Sequence, residues 1–327
     1  MKNVFGDLAR QGETNVLRFF ASQGAVVAFL LLFVSASLLY DQFFTYTNLS
    51  NIIRQVSMVG LVAVGMTFVI LVGGIDLSVG SVVALAGVLA AMLSGTNVWL
   101  AVFLPIAAGA LIGFVNGAVV AKLKVVPFIA TLASMMGVRG IAYIATNEQS
   151  VTVDTASGFT NLARAYVLGI PLPALIFLAA VGAAAFIAKY TGLGRHLFAV
   201  GGNEEASRMM GLHADRVKIA AYSISGMLAG FAGVILASRL GAGQSVAAEG
   251  WEMTAIAAVV IGGTLLSGGV GKFSGTLVGV LVIGVITNMF NMQGNINTWW
   301  QNVMMGALLL LVVVIQSQVQ SKREGRS

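Results

Sequence analysis

From Phe19 to Tyr40 the chain runs 22 residues without a charge. A secretion signal has an apolar core of only roughly 7–15 residues, so this run is expected to be kept as a membrane span. Cutting the remaining sequence at its charges and loop signals gives ten candidate spans in all. They lie at about 20–40, 55–73, 77–94, 98–121, 127–145, 166–188, 219–238, 253–265, 273–292 and 299–318. Lipid offers no partner to a backbone N–H or C=O, so a chain with many such runs must close its own hydrogen bonds as helices. The expectation is an all-α polytopic membrane protein of about ten transmembrane helices, one domain over residues 1–327. With 58% hydrophobic and 9% charged residues, a soluble globule is excluded. Glycines at GxxxG spacing, Gly109, Gly113 and Gly117 and again Gly226 and Gly230, point to closely packed helices.

Charge orients the bundle. With the N-terminus inside, 14 of the 18 basic residues fall on the cytosolic side. Only Arg54, Arg139, Arg164 and Arg239 fall on the other. That asymmetry places both termini in the cytosol, as tails 1–19 and 319–327, together with the loop 189–218. The net charge of +6 is thereby explained by a lipid bilayer and implies no nucleic acid. The chain has no cysteine, and His196 and His213 have no partner ligands in view, so no metal site is expected.

Two spans look irregular: the eighth covers only 13 positions, and the fifth contains Arg139. The external segment 146–165, rich in Ser, Thr and Asn, is expected to lie on the membrane surface. An internal repeat adds to this. Gly73-Gly74-Ile75-Asp76-Leu77-Ser78-Val79-Gly80 recurs, 189 residues on, as Gly262-Gly263-Thr264-Leu265-Leu266-Ser267-Gly268-Gly269. The shared pattern GGxxLSxG suits a broken or re-entrant helix in each of two pseudo-repeated halves. The glycines open the backbone, and the serine can cap the start of the next helix. Such breaks mark a solute path, with Gly73, Gly74, Asp76, Ser78, Asn116, Thr131, Gly262, Gly263, Ser267 and Asn288 as its candidate lining. Helix packing and helix–helix hydrogen bonds explain the same residues as well. The span count puts both motifs on the cytosolic side, whereas inverted halves would put them on opposite sides.

The loop 189–218 holds 8 of the 30 charged residues and both histidines. Within it a short helix has clear ends: Asn203 as N-cap, Glu204 and Glu205 in the first turn, Arg208 in the last and Gly211 as the stop. Ala206, Met209 and Met210 share an apolar face. A solvated connector is one reading. Adjacent exposed methionines favour the other, a docking helix for a cytosolic partner.

Little catalytic chemistry is present. Residues 268–274 resemble a phosphate-binding loop only superficially, since Leu266 and Phe273 stand where that motif needs glycine and Ser or Thr. No nucleophile–base set is visible, so the chain is not expected to be an enzyme. Asp76, the lone acid of a long apolar region, is either a functional intramembrane carboxylate or the cap of the following helix.

GMTFVILVGGIDLSVGSVVALAGVLAA (65–91), GLGRHLFAVGGNEEASRMMG (192–211) and AIAAVVIGGTLLSGGVGKFSGTL (255–277) resemble the permeases of bacterial ABC sugar importers. The branch is the one serving ribose, xylose, arabinose and galactofuranose. The central part is similar to ribose permeases. The last part, with Asn297-Thr298-Trp299-Trp300, looks most like a galactofuranose permease. The resemblance implies import of a monosaccharide across the bacterial inner membrane. It implies a permease dimer, a fused double ATPase carrying ATP and Mg, and a periplasmic sugar-binding protein. It also makes 203–211 the coupling helix, with Glu205, Ala206 and Gly211 on the family pattern and Ser207 where many relatives have alanine. An ion-coupled secondary transporter is the alternative. The spans offer it one aspartate and no histidine.

Overall fold

The computed structural model describes residues 24–294 and 299–324. It is a helical bundle. Helices α1 (Gly24–Leu39), α2 (Tyr46–Leu71), α3 (Val79–Leu93), α4 (Val98–Lys122) and α5 (Pro127–Thr146) form its first part. The second contains α6 (Asn161–Arg164), α7 (Leu172–Tyr190), α8 (Gly192–Gly202), α9 (Glu204–Met209) and α10 (Ala214–Leu240). The last contains α11 (Trp251–Ile261), α12 (Phe273–Gln293) and α13 (Trp299–Glu324). Each of the ten expected spans has a helix. Six are long and apolar enough to cross a membrane alone, and α1, α3, α11 and part of α13 are shorter apolar segments.

The differences from the sequence expectation have local causes. α2 begins at Tyr46 and not at 55, because Thr45 Oγ1 caps it by accepting from Asn48 N–H, and Arg54 stays within it, reaching the Tyr166 hydroxyl with its guanidinium over the ring. The stretch 166–171 is no helix. Tyr166–Val167 and Ile170–Pro171 pair as a tiny antiparallel ladder turned at Leu168 and Gly169, both with positive φ. α13 runs to Glu324, so the expected C-terminal tail 319–327 starts as helix, while the tail 1–19 lies outside the described residues. Segment 146–165 packs against the end of α10. Val151–Thr152 pairs with Ala242–Gly243, and Phe159 is buried where its carbonyl accepts from Ser238 Oγ at 2.9 Å.

α2 and α10 form the interior, whereas α4 and α5 turn Leu111, Phe114, Ile129 and Ile144 outward, as lipid-facing helices do. The GxxxG expectation is met in the α4–α10 contact: a Cβ on Gly113 would stand 2.1 Å from the Tyr222 carbonyl oxygen. The two irregular spans resolve differently. α11 has 11 residues, about 16 Å at 1.5 Å per residue, and spans only half of a ~30 Å hydrocarbon core. α5 is a regular helix, and Arg139 Nη1 donates to the Ser245 and Ala247 carbonyls of the loop before α11 at 2.5 and 2.8 Å.

Candidate functional site

Both glycine pairs end a helix, and they do so alike. At the end of α2, Gly73 N–H donates to Ile70 O and Gly74 N–H to Val69 O. At the end of α11, Gly263 N–H donates to Val260 O and Thr264 N–H to Val259 O. This paired bonding needs a left-handed residue at its turn, and Gly73 (φ +75°) and Gly263 (φ +87°) supply it. The structural offset is therefore 190 residues and not the 189 of the sequence match, so Ser78 and Ser267 are not equivalent. Ser78 is buried and stands at the start of α3, whereas Ser267 is exposed in a turn closed by Gly268 N–H to Leu265 O.

The two breaks meet. A Cβ on Gly268 would stand 2.8 Å from the Gly73 nitrogen and 3.0 Å from the Gly201 oxygen. Gly269 N–H donates to Leu71 O at 3.0 Å, and a Cβ on Gly201 would fall 1.7 Å from that same oxygen. The two copies thus meet at one end of the bundle. Gly201 ends α8, a helix the sequence reading missed. Its signal was Leu193, Leu197 and Val200, a stripe of one half-buried and two buried residues ahead of Gly201-Gly202.

α9 follows directly. Asn203 Oδ1 accepts from Ala206 N–H at 2.9 Å, and Gly211 (φ +82°) ends the turn with its N–H on Arg208 O. Glu204 accepts from Arg208 at 2.9 Å and from Lys218 Nζ at 2.5 Å, and Arg208 also pairs with Asp215. Partial burial alone would raise the Glu204 carboxyl. The hydrogen bonds from Lys218 and Arg208 outweigh it and hold that group below the ordinary glutamate range. Ser207 is the buried residue of α9, which explains a small side chain there. Met209 (83% exposed) and Met210 (71%) point away from the bundle with Glu205 and Ala206. Glu205 has no ion-pair or hydrogen-bond partner among the described residues.

Asp76 sits on the irregular backbone between α2 and α3, fully buried. Its Oδ1 accepts from Ser78 N–H (3.1 Å) and Ser78 Oγ (2.6 Å), and its Oδ2 accepts from Ser225 Oγ (3.0 Å). Asn116 Nδ2 donates to Ser78 Oγ at 2.9 Å. Thr131 and Tyr222 hydroxyls both reach Ile75 O at 3.3 Å. Asp76, Ser78, Asn116 and Thr131 are therefore one web that ties the first break to α4, α5 and α10. Ser225 and Tyr222 were the members missing from the sequence reading. Asn288 is elsewhere: it exchanges hydrogen bonds with Asn48 (2.8 and 3.2 Å) beside a cavity between α2, α11, α12 and α13.

Residues 48–313 match the family described as branched-chain amino acid transport system / permease component. The ribose import permease protein RbsC of Haemophilus influenzae is 39% identical over 311 residues, 94% of this chain and 96% of that one. RbsC of Escherichia coli K12 is 42% identical over 307 residues, 91% and 94% of the two chains. The L-arabinose transport system permease protein AraH of the same organism is 37% identical over 308 residues, 94% and 93%. Among solved structures there is no match.

Proposed function

The chain belongs to the branched-chain amino acid transport system / permease component family, and from that membership we infer that it is the membrane subunit of an ATP-binding-cassette importer for a monosaccharide. It is a multi-pass membrane protein and a transporter subunit rather than an enzyme. An ATPase and a binding protein are its partners. The carrying observation is 42% identity to a ribose import permease over 91% of the chain. The finer reading is ours. The α8–α9 end faces the cytosol of an inner-membrane protein, supported by Lys124, Lys218, Arg195 and Arg216 lying on that side. α9 docks in a fused double ATPase, supported by its outward Met209, Met210 and Glu205. A second permease completes the path, and the sugar is ribose-like, as the names of the relatives favour.

In this reading α9 moves with the ATPase, and its motion passes through Gly201 to the junction of Leu71, Gly73 and Gly268. Both broken helices then shift together, because one three-way backbone contact holds them. The test is uptake of labelled D-ribose by membrane vesicles holding the permease with its ATPase and binding protein. ATP-dependent uptake that survives a protonophore is expected. Uptake without the ATPase, or abolished by the protonophore at constant ATP, would turn the reading toward a secondary transporter.

A further inference from the structure

The polar groups of the distant half of the bundle do not gather at the glycine breaks. They gather in a cavity of about 310 Å³ between α2, α11, α12 and α13, whose α2 wall ends at Val59, about 20 Å along the helix from Gly73. Its volume is at the low end of the roughly 300–1,000 Å³ of small-molecule sites. Gln55, Thr254, Thr287, Asn288 and Asn302 face it, and Trp251 supplies an aromatic wall. Amides and hydroxyls both donate and accept, as a sugar hydroxyl does. Among the described residues no lysine or arginine lines the cavity and the one charged group is Glu249, so they offer an anion no partner. Gln55, Thr287 and Asn302 have no hydrogen-bond partner among the described residues, which leaves their polar atoms available to a solute.

Packed side chains on α2 and α12 stand between Val59 and the glycine junction. Along α2 the cavity-lining positions 52–59 are followed by Thr67 and Phe68, and then by Leu71 and Gly73. Thr67 Oγ1 and Thr276 Oγ1 are 2.8 Å apart and buried, and the Phe68 and Phe273 rings lie 4.6 Å centroid to centroid. This plug separates the cavity from the junction on which α8 rests. A displacement of α8 acts on Leu71, and Thr67 stands one helical turn earlier.

We propose that this cavity is a transit site for a neutral, polyhydroxylated solute of monosaccharide size, held off the α9 side by the α2–α12 plug. The inference rests on the importer reading and adds the residues that meet the sugar. Most of the polar groups are uncharged and several are exposed, so binding is weak and release is easy. The absence of cysteine permits a direct test. Thr287→Cys and, as a second position, Gln55→Cys would each be treated in assembled importer vesicles with a bulky, water-soluble thiol reagent. Expected results are labelling that excess D-ribose slows, and at least a tenfold loss of ribose uptake once labelling is complete. Uptake of the fully labelled protein within twofold of the untreated protein would overturn the proposal. So would two cysteines that stay unlabelled with ATP absent, ATP present and hydrolysis arrested by vanadate. If the unmodified vesicles take up no monosaccharide, the importer reading fails, and the labelling still reports whether the cavity opens to water.

Discussion

At the scale of single residues, the buried Asp76 is the test of what an intramembrane carboxylate is for. Its oxygens accept from Ser78 and Ser225, and it has no cationic partner among the described residues. Asparagine keeps an acceptor for the Ser78 amide, and the Ser225 hydroxyl can rotate to accept from its NH₂ group. Asp76→Asn is therefore expected to hold uptake within about threefold of the native rate. Asp76→Leu strands buried donors at about 1–3 kcal/mol each, and should lower both the thermal midpoint of the detergent-purified protein and its uptake. An asparagine variant as inactive as the leucine one would show that the charge itself is needed. Glycine positions differ as sharply. Gly113→Leu drives a side chain into the Tyr222 carbonyl and should cost about 3 kcal/mol, seen as depleted protein in the membrane. A Cβ on the exposed Gly182 of α7 meets nothing within 4 Å, so Gly182→Leu should leave the level unchanged.

At the scale of elements, α9 divides its acids between two tasks. Glu204 is bound inward by Arg208 and Lys218, while Glu205 and Met209 face outward. Replacing Glu205 and Met209 by alanine should leave the protein inserted at normal levels and abolish ATPase association and uptake. Normal uptake in that variant would remove α9 from coupling. Glu204→Gln should act on the loop itself. These ion pairs are largely exposed, so about 1 kcal/mol is their ceiling, read as up to about fivefold faster hydrogen exchange in α9. The pH dependence has a definite sign. The folded Glu204 pKa lies below its ordinary 4.5, so its contribution is present above about pH 4.5 and is lost as pH falls through the folded value. Protection of native α9, its exchange scaled to the intrinsic amide rate at each pH, should fall only in that acid window, and the glutamine variant should show no such fall.

At the scale of the whole molecule, the arrangement is a mechanical series. α9 is exposed, α8 rests by Gly201 on the junction of the two breaks, and the Thr67–Thr276 and Phe68–Phe273 plug stands between that junction and the polar cavity. A motion entering at α9 reaches both broken helices at once, because they share backbone contacts too close for any side chain. Gly201→Val should therefore uncouple the system where it still folds. ATP hydrolysis by the assembled complex would persist while ribose uptake falls at least tenfold. Loss of both in parallel, with the protein present at native level, would mean that the junction supports assembly and does not transmit motion.

The all-α class and the rough placement of the apolar helices were legible in the sequence, because membrane helices must satisfy their own hydrogen bonds and so write themselves as apolar runs. The ends of α9 were legible for the same local reason: Asn203 caps within three residues, and Gly211 turns within three more. What no local pattern contained was contact. Sequence matching paired Ser78 with Ser267, while the hydrogen bonds that end α2 and α11 shift the register by one residue and send the two serines to different surroundings. That Gly73, Gly201 and Gly268 touch, that Ser225 completes the shell of Asp76 from 149 residues away, and that Gln55, Thr287 and Asn302 open onto one cavity depend on how the helices cross. Crossing is set by tertiary packing, where small residues let backbones meet, and only the folded bundle decides which of them do.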